Sequence, residues 1–458
     1  MALSELKFIF CFLPAFLILY LPAKGDLKKY IMLSGSMLFY YIGAGAGALL
    51  LLSAMILSSF YAAKLIAGPG SGKAIFRISC TAMLLPLLFY KYLRFFFTFF
   101  SSSDAVPFRM ENIIIPLGIS FFTFEIISYL ADVKRGTIEP EHNLLSYACF
   151  ITSFPKLMSG PIVRFKDFQY NKPTRPYIED GFALFVIGLG MKVLIADSLS
   201  QVWEFMKRTG FEYISTPLAW IGAASYSLEL YFDFNGYSLM AKGIGSMCGY
   251  DIPLNFDLPY ISRSVSEFWR RWHITLGTWF RDYVYIPLGG SRNGEIRMVL
   301  SLFTVWILTG LWHGAGWNFI LWGSVHYIFI VSEKLFFKSF PDRHPVLSRF
   351  LLCFIIIQTW IIFAIESPAS LGAYFSRLYP FFNNGGAFYS GTHDFLSIPV
   401  SCYTAALTGI ILCLPFTRKF YEKHKRSVLM TVLLFIVFWS SVYLVSVRGS
   451  GSFIYFNF

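Results

Sequence analysis

The residues best suited to chemistry are histidines that lie in tryptophan-rich segments. The chain has seven histidines, and three of them lie in such surroundings. His273 ends the run Phe-Trp-Arg-Arg-Trp-His, and His313 sits in Thr-Gly-Leu-Trp-His-Gly-Ala-Gly-Trp. His326 follows thirteen residues after His313. The other four lie in polar segments and are interpreted as surface residues: His142, His344, His393 and His424.

His313 is the strongest candidate for a catalytic residue. Apolar segments flank it on both sides, and the glycines at 310, 314 and 316 interrupt the helix around it. An ionisable residue at membrane depth is costly to keep, so a functional role is the first hypothesis. Burial favours the neutral imidazole, which can act as the general base for a hydroxyl nucleophile. The alternative is a histidine that is hydrogen-bonded and packed in the interior.

The other two histidines of this group have weaker patterns. His273 is predicted to lie on an interfacial helix, where it either lines an entry to the site or forms the polar edge of that helix. His326 would be roughly 20 Å from His313 along a continuous helix, too far for both to act on one atom. For His326 we therefore favour packing or a hydrogen bond between helices.

Further polar residues could hold a ligand or a charge. Arg281 and Arg292 flank a segment that ends in a Gly-Gly turn, which could bind a phosphate through backbone N–H groups and arginine. The alternative is a turn anchored to lipid headgroups. Asp233 and Glu125 lie in or beside apolar segments, as channel residues or as halves of buried pairs. The seven cysteines are scattered singly, so neither a disulfide framework nor a metal site is expected.

The elements that carry these residues must be membrane helices. The chain is 56% hydrophobic and only 14% charged, whereas a soluble chain carries roughly 25% charged residues. We predict an all-α polytopic integral membrane protein with about 11–13 membrane segments, in a single domain over residues 1–458. The net charge of +12 comes from short basic segments between apolar blocks, which is typical of cytoplasmic loops and gives no reason to expect nucleic acid.

The basic segments also predict the topology. They all fall on the cytoplasmic side if the apolar block 144–159, which contains Pro155, is re-entrant, and Phe458 then lies outside. Residues 240–297 then form a cytoplasmic or interfacial amphipathic segment. Within it, Ser264 and Glu267 resemble a capping box that opens one amphipathic helix, whose tryptophans recur at helical spacing through Trp279.

These segments together resemble the membrane-bound O-acyltransferase (MBOAT) family, in particular its bacterial polysaccharide branch, which is typified by the membrane subunit of alginate O-acetyltransferase. The resemblance covers nearly the whole chain and is weakest around residues 339–397. The matching stretches are Pro116–Phe124, Ser159–Arg164, Tyr231–Ser238, Glu267–His273, Trp279–Gly290, Leu311–Gly314 and Phe453–Phe458.

The resemblance implies a helical bundle with a central tunnel in a bacterial cytoplasmic membrane. It also implies that His313 is catalytic and that His273 is the second characteristic histidine, nearer the cytoplasmic end of the tunnel. The donor would be cytoplasmic acetyl-CoA, with no permanently bound cofactor. The acetyl group would pass outward to a secreted or cell-wall polysaccharide such as alginate, with help from an extracytoplasmic SGNH-type acetyltransferase. Two alternatives remain: a D-alanyl exporter of teichoic acid synthesis, which needs a carrier protein, and a lipid or polysaccharide transporter.

Overall fold

The structure is a computed structural model that describes residues 1–70, 72–100, 114–382, 393–449, 451 and 453–454. Within these ranges the regular structure is helical, apart from one isolated antiparallel β-bridge between Tyr170 and Tyr250. The all-α prediction is therefore confirmed. The chain forms two compact units, and the helices α7 (Arg175–Gly190) and α9 (Thr216–Cys248) contribute residues to both.

The first unit comprises Met1–Phe185 and Tyr237–Leu254. Its interior contains many aromatic side chains. Phe154, for example, packs against Phe16 with ring centroids 5.0 Å apart and against Phe12 at 5.3 Å. Its helices before α7 are α1 (Leu13–Tyr20), α2 (Asp26–Ala67), α3 (Gly72–Phe100), α4 (Ile119–Lys134), α5 (Leu144–Thr152) and α6 (Phe154–Leu157).

The second unit comprises Val186–Gly236 and Asn255–Ile454. It holds all three histidines that the sequence places in tryptophan-rich segments. Besides most of α9, its helices are α8 (Asp197–Thr209), α10 (Val265–Arg271), α11 (Ile274–Phe280), α12 (Glu295–His313), α13 (Trp317–Leu335), α14 (Phe340–Arg343), α15 (Pro345–Ala364), α16 (Pro368–Leu378), α17 (Val400–Leu412), α18 (Pro415–His424) and α19 (Val428–Arg448).

Several of these helices are long and apolar enough to cross a bilayer. Among the described residues there are six, or seven if the bent pair of α17 and α18 is counted as one span. The polytopic membrane architecture is thus confirmed. The six are Asp26–Ala67, Gly72–Leu93, Arg175–Thr209, Glu295–His313, Pro345–Ala364 and Val428–Arg448.

Two apolar stretches of the first unit are interrupted in the structure. The sequence predicts spans at residues 30–43 and 47–62, and the structure has them on either side of a break in α2 at Gly45, whose backbone is not helical (φ 81°, ψ 174°). The block 144–159 is split at Ser153 into α5 and α6, of nine and four residues. Neither piece reaches the ~20 residues that a perpendicular span needs.

The amphipathic helix expected after Ser264 is broken, which corrects the sequence prediction. Ser264 caps α10 as expected, because its Oγ accepts a hydrogen bond from the Glu267 N–H at 3.0 Å. However, α10 ends at Arg271, Trp272 is extended, and His273 has left-handed backbone angles (φ 45°, ψ 53°) before α11 begins. The helical spacing of the tryptophans continues across this break, so the sequence pattern gave no sign of it.

The helices α12 and α13 form a close hairpin around the Gly314–Gly316 connection. A Cβ added to Gly310 would lie 2.4 Å from the carbonyl oxygen of Phe319, and one added to Gly323 would lie 2.5 Å from that of Trp306. Only glycine permits two helix backbones to approach so closely. The hairpin therefore holds the C-terminal end of α12, where His313 lies, in a fixed place.

Candidate active site

His313 is the last residue of α12 and is 3% exposed. Three aromatic rings surround its imidazole: Trp312 at a centroid distance of 5.0 Å, and Trp322 and Phe363 at 5.2 Å each. Apolar walls of this kind exclude water and strengthen any electrostatic interaction made inside them. The position expected for the catalytic histidine is therefore a dry, aromatic one.

His273 lies next to Trp312, one of the rings that surround His313. Its imidazole packs edge-on against Phe234 at 4.6 Å and against Trp312 at 5.8 Å. His273 and His313 therefore both contact Trp312, although 40 residues separate them along the chain. The family resemblance implies that His273 lies nearer the cytoplasmic end of a tunnel, and this remains a prediction; the structure shows that both histidines contact one indole.

Asn255 fixes the orientation of His273. The Asn255 Oδ1 accepts hydrogen bonds from the Thr275 N–H at 3.2 Å and the Thr275 hydroxyl at 2.9 Å, and it lies 3.2 Å from His273 Nδ1. Because an amide oxygen can only accept, Nδ1 is the protonated nitrogen of His273. The neutral ring then carries its basic lone pair on Nε2.

The backbone at His273 is strained. Among the described residues only Leu258 and His273 have positive φ without being glycine. Such conformations cost of order 1–3 kcal/mol and are concentrated at functional sites, where the surroundings hold them in place. Here the surroundings include the Ile274 N–H, which donates to the Asn255 carbonyl at 2.9 Å. The strain is independent support for a functional role of the His273 turn.

Burial lowers the pKa of His273 from 6.5 to about 3. Between these values the unfolded chain binds a proton that the folded protein does not, so the free energy of unfolding falls as the pH falls. We expect wild type to lose more thermal stability between pH 7 and pH 4 than His273→Asn, because asparagine tolerates the left-handed backbone and does not titrate. The loss is measured as the change in the thermal midpoint of each protein, in detergent, between the two pH values. The exposed His344, changed to Asn, is the control, and equal losses in wild type and His273→Asn would contradict the assignment.

His326 takes part in a hydrogen bond between helices, one of the two roles expected for it. Its Nδ1 accepts from the Trp269 indole N–H at 3.2 Å, which joins α13 to α10. The ring also stacks on Trp306 at 5.2 Å and packs edge-on against Trp322 at 4.9 Å. Trp322 thus contacts both His326 and His313, and His326 helps to build the aromatic wall of the site.

The two arginines proposed for phosphate binding are exposed. Arg281 follows α11 directly, about 10 Å along the helix from the His273 turn, and its Nε donates to Asp282 at 2.7 Å. Arg292 lies in the Gly-rich turn, where Gly289 (φ 112°) and Gly290 (φ 52°) adopt left-handed angles. The structure places no contact between the two guanidinium groups.

Asp233 is half of a buried ion pair, as one of the two sequence interpretations held. Lys192 lies 2.8 Å from Asp233 and 2.6 Å from Asp197. The C-terminal segment covers this group, since the Ile454 N–H donates to Asp233 Oδ2 at 2.9 Å and Lys192 lies 4.8 Å from the ring of Phe453. These contacts attach residues 453–454 to the interior of the second unit.

Glu125 is likewise half of a buried pair. Its Oε2 lies 2.5 Å from the Lys156 ammonium group, with side-chain exposures of 3% and 0%. Its Oε1 accepts from the Val163 N–H at 3.1 Å. The pair therefore ties α4 to the broken segment of α5 and α6 and to the chain that follows it.

Sequence reasoning missed the residues that position the site. Asn255 lies 18 residues before His273, in a loop, and nothing in its local pattern marks it. Lys156 and Lys192 could have been found, because each is a lone lysine in an apolar block and such a charge requires a partner. Trp312 adjoins His313 in the sequence, but its contact with His273 depends on the tertiary fold.

The family model for MBOAT, the membrane-bound O-acyltransferase family, matches residues 133–376, which is more than half of the 458-residue chain. The chain belongs to the membrane-bound O-acyltransferase family. It is therefore an O-acyltransferase, and both His273 and His313 fall within the matched range of this MBOAT protein.

Curated relatives agree with this assignment. The chain is 36% identical over 379 residues to a probable alginate O-acetylase of Pseudomonas aeruginosa, covering 80% of this chain and 72% of the relative. It is 34% identical over 407 residues to a peptidoglycan O-acetyltransferase of Helicobacter pylori, covering 79% and 77%. A teichoic acid D-alanyltransferase of Bacillus subtilis is 30% identical over 244 residues, covering 50% and 61%.

Proposed function

We propose that this MBOAT enzyme takes acetyl groups from acetyl-CoA on the cytoplasmic side of a bacterial cytoplasmic membrane. We propose further that it delivers them for the O-acetylation of a secreted or cell-wall polysaccharide. The observation that carries the proposal is the pair of buried imidazoles, His273 and His313, in contact with one indole, Trp312. Acyl transfer to a hydroxyl needs a base that is neutral before the reaction, and a dry aromatic site keeps an imidazole neutral.

His313 acts as the general base in this proposal. As the acceptor oxygen attacks the thioester carbonyl carbon, His313 takes the hydroxyl proton. The C–O bond forms, the C–S bond breaks, and the departing thiolate receives the proton from His313. The histidine is thus returned to its neutral form, and no other reactant is consumed. The rings of Trp322 and Phe363 exclude water, which would otherwise hydrolyse the thioester.

His273 serves the donor side of the same reaction. Its Nε2 lone pair, set by the Nδ1 contact with Asn255, can accept a hydrogen bond from a group at the entrance to the site. The α11 helix runs from this histidine to Arg281, and Arg292 follows in the Gly-rich turn. The cofactor phosphates would bind these exposed arginines, where loss of hydration costs little, while the thioester arm reaches inward.

The acceptor is proposed from the relatives. Two of them carry names that describe O-acetylation of alginate and of peptidoglycan, so a glycan hydroxyl is the class of final acceptor that we infer. An extracytoplasmic SGNH-type acetyltransferase would complete the transfer in the proposed scheme. The similarity to a teichoic acid D-alanyltransferase makes D-alanine the competing acyl group.

Chemical analysis of envelope glycans tests this proposal. We expect a deletion strain to lose ester-linked acetate from one secreted or cell-wall polysaccharide and to regain it with the wild-type gene on a plasmid. D-alanine esters in the same cells are the internal control and should be unchanged. Loss of D-alanine with acetate retained would identify the exporter activity instead, and no change in either ester would overturn the proposal.

A further inference from the structure

The short helix α18 (Pro415–His424) stands apart from the membrane helices. It follows α17 after a bend of 77°, and none of its residues is buried. A helix that turns this far from its apolar neighbour no longer continues along the span. It instead presents its sides to the surroundings.

The two opposite sides of α18 have different surroundings. The Arg418 guanidinium lies 2.6 Å from Asp257, which is also 3.2 Å from Arg271, so this side is held against Asp257 and the end of α10. Phe416 and Phe420 are each two positions from Arg418, which places them about 160° away around the helix. Their exposed fractions are 57% and 44%. The outward side of α18 therefore carries two exposed phenyl rings, and the His424 imidazole packs against the ring of Phe420 at a centroid distance of 4.5 Å.

The charge of this region is strongly positive. Lys419 and Lys423 lie within about one helical turn of the two phenyl rings and are exposed. Lys425 is on the Arg418 side and lies 3.4 Å from Glu422. Residues 415–426 hold one acidic side chain, Glu422, and five basic ones, which are Arg418, Lys419, Lys423, Lys425 and Arg426.

We propose that the outward side of α18 is a binding surface for anionic phospholipids. Phe416 and Phe420 enter the boundary between headgroups and acyl chains, and Lys419 and Lys423 contact the lipid phosphates. Exposed phenyl rings flanked by lysines are the pattern of helices that lie in the plane of a membrane surface. A small acidic ligand would contact only the lysines and leave the two rings in water, whereas a lipid leaflet contacts both the rings and the lysines. The positive-inside rule makes it the cytoplasmic leaflet.

The lipid surface is connected to the His273 turn through charged side chains. Arg418 and Arg271 share Asp257, and the Asp257 N–H donates to the Arg271 carbonyl at 2.9 Å. Arg271 is the last residue of α10, two positions before His273. Binding of α18 to the leaflet would therefore hold the turn that positions His273. This connection does not depend on the identity of the acyl donor or acceptor.

Amine reactivity of the native lysines tests the proposal without any catalytic assay. The full-length protein is placed in nanodiscs of phosphatidylcholine, with or without phosphatidylglycerol, and modification of each lysine by a water-soluble acylating reagent is measured by mass spectrometry. We expect phosphatidylglycerol to slow modification of Lys419 and Lys423 about fivefold, as about 1 kcal/mol per residue implies. Lys425 on the opposite side and Lys207 on α8 are matched controls and should change less.

Further experiments distinguish binding of lipid phosphate from binding of a soluble phosphate compound. Coenzyme A or inorganic phosphate added to phosphatidylcholine nanodiscs should leave Lys419 and Lys423 reactive, and protection there would overturn the assignment to lipid. The Phe416→Ser/Phe420→Ser variant should lose most of the protection, because the helix no longer inserts. Equal reactivity with and without phosphatidylglycerol, or protection of all four lysines alike, would also overturn the proposal.

Discussion

Replacing His313 with alanine is expected to reduce acyl transfer by about 10²–10⁴-fold, the range for removal of a general base, while the protein still accumulates in the membrane. The protein should still fold because His313 is the last residue of α12, where its ring packs against the rings of Trp312, Trp322 and Phe363. Helix α12 itself is held by the glycine contacts of Gly310 and Gly323. Ester-linked acetate in the glycan, measured per unit of membrane protein, gives the result.

Two further variants make this test specific. The exposed His344, changed to alanine, should keep wild-type acetylation. His313→Gln keeps the size and polarity of the side chain but removes a titratable base, so it should be as inactive as His313→Ala. Near-normal acetylation in His313→Gln would show that the imidazole is not the base, even if the alanine variant failed to fold.

Replacing Lys156 with methionine is expected to destabilise the protein by about 3–5 kcal/mol, because the Glu125 carboxylate would remain buried without its partner charge. Glu125 and Lys156 are 3% and 0% exposed, and the Val163 N–H is the second contact of the carboxylate. The measurement is the thermal midpoint in detergent, together with the amount of protein in the membrane fraction.

The matched comparison uses a pair at the surface. Lys207 lies 3.1 Å from Glu204 with about half of each side chain exposed, and Lys207→Met should change the free energy of unfolding by less than about 1 kcal/mol. The double variant Glu125→Gln/Lys156→Met should recover much of the stability lost in Lys156→Met, since no charge is left behind. If Lys156→Met were as stable as wild type, the Glu125–Lys156 pair would contribute nothing to the free energy of unfolding.

Much of the architecture could be predicted from the sequence, because the bilayer imposes simple rules. Long apolar blocks require helices. His313 could be singled out because it is an ionisable residue that lies between two such blocks. Asp233 and Glu125 could be proposed as members of buried pairs for the same reason. The capping function of Ser264 could also be read from its position before Glu267.

Other features depend on contacts between distant residues. The break at Trp272–His273 is set by Asn255, whose carbonyl and side-chain oxygens receive hydrogen bonds from Ile274 and Thr275. A pattern of tryptophans at helical spacing cannot reveal a partner eighteen residues away. Similarly, the shared contact of His273 and His313 with Trp312 arises from tertiary packing, which sequence periodicity does not encode.

The close hairpin of α12 and α13 also bears on how the protein reaches its membrane. The two helices touch through Gly310 and Gly323 and are joined by only the three residues Gly314–Gly316. Such a pair can pass from the insertion machinery into lipid as one unit, with its helices already in contact. The His313 imidazole at the hairpin end would then enter beside the ring of Trp322 rather than against bare acyl chains. The glycines that fix the mature site would in this way also lower the cost of inserting a polar residue.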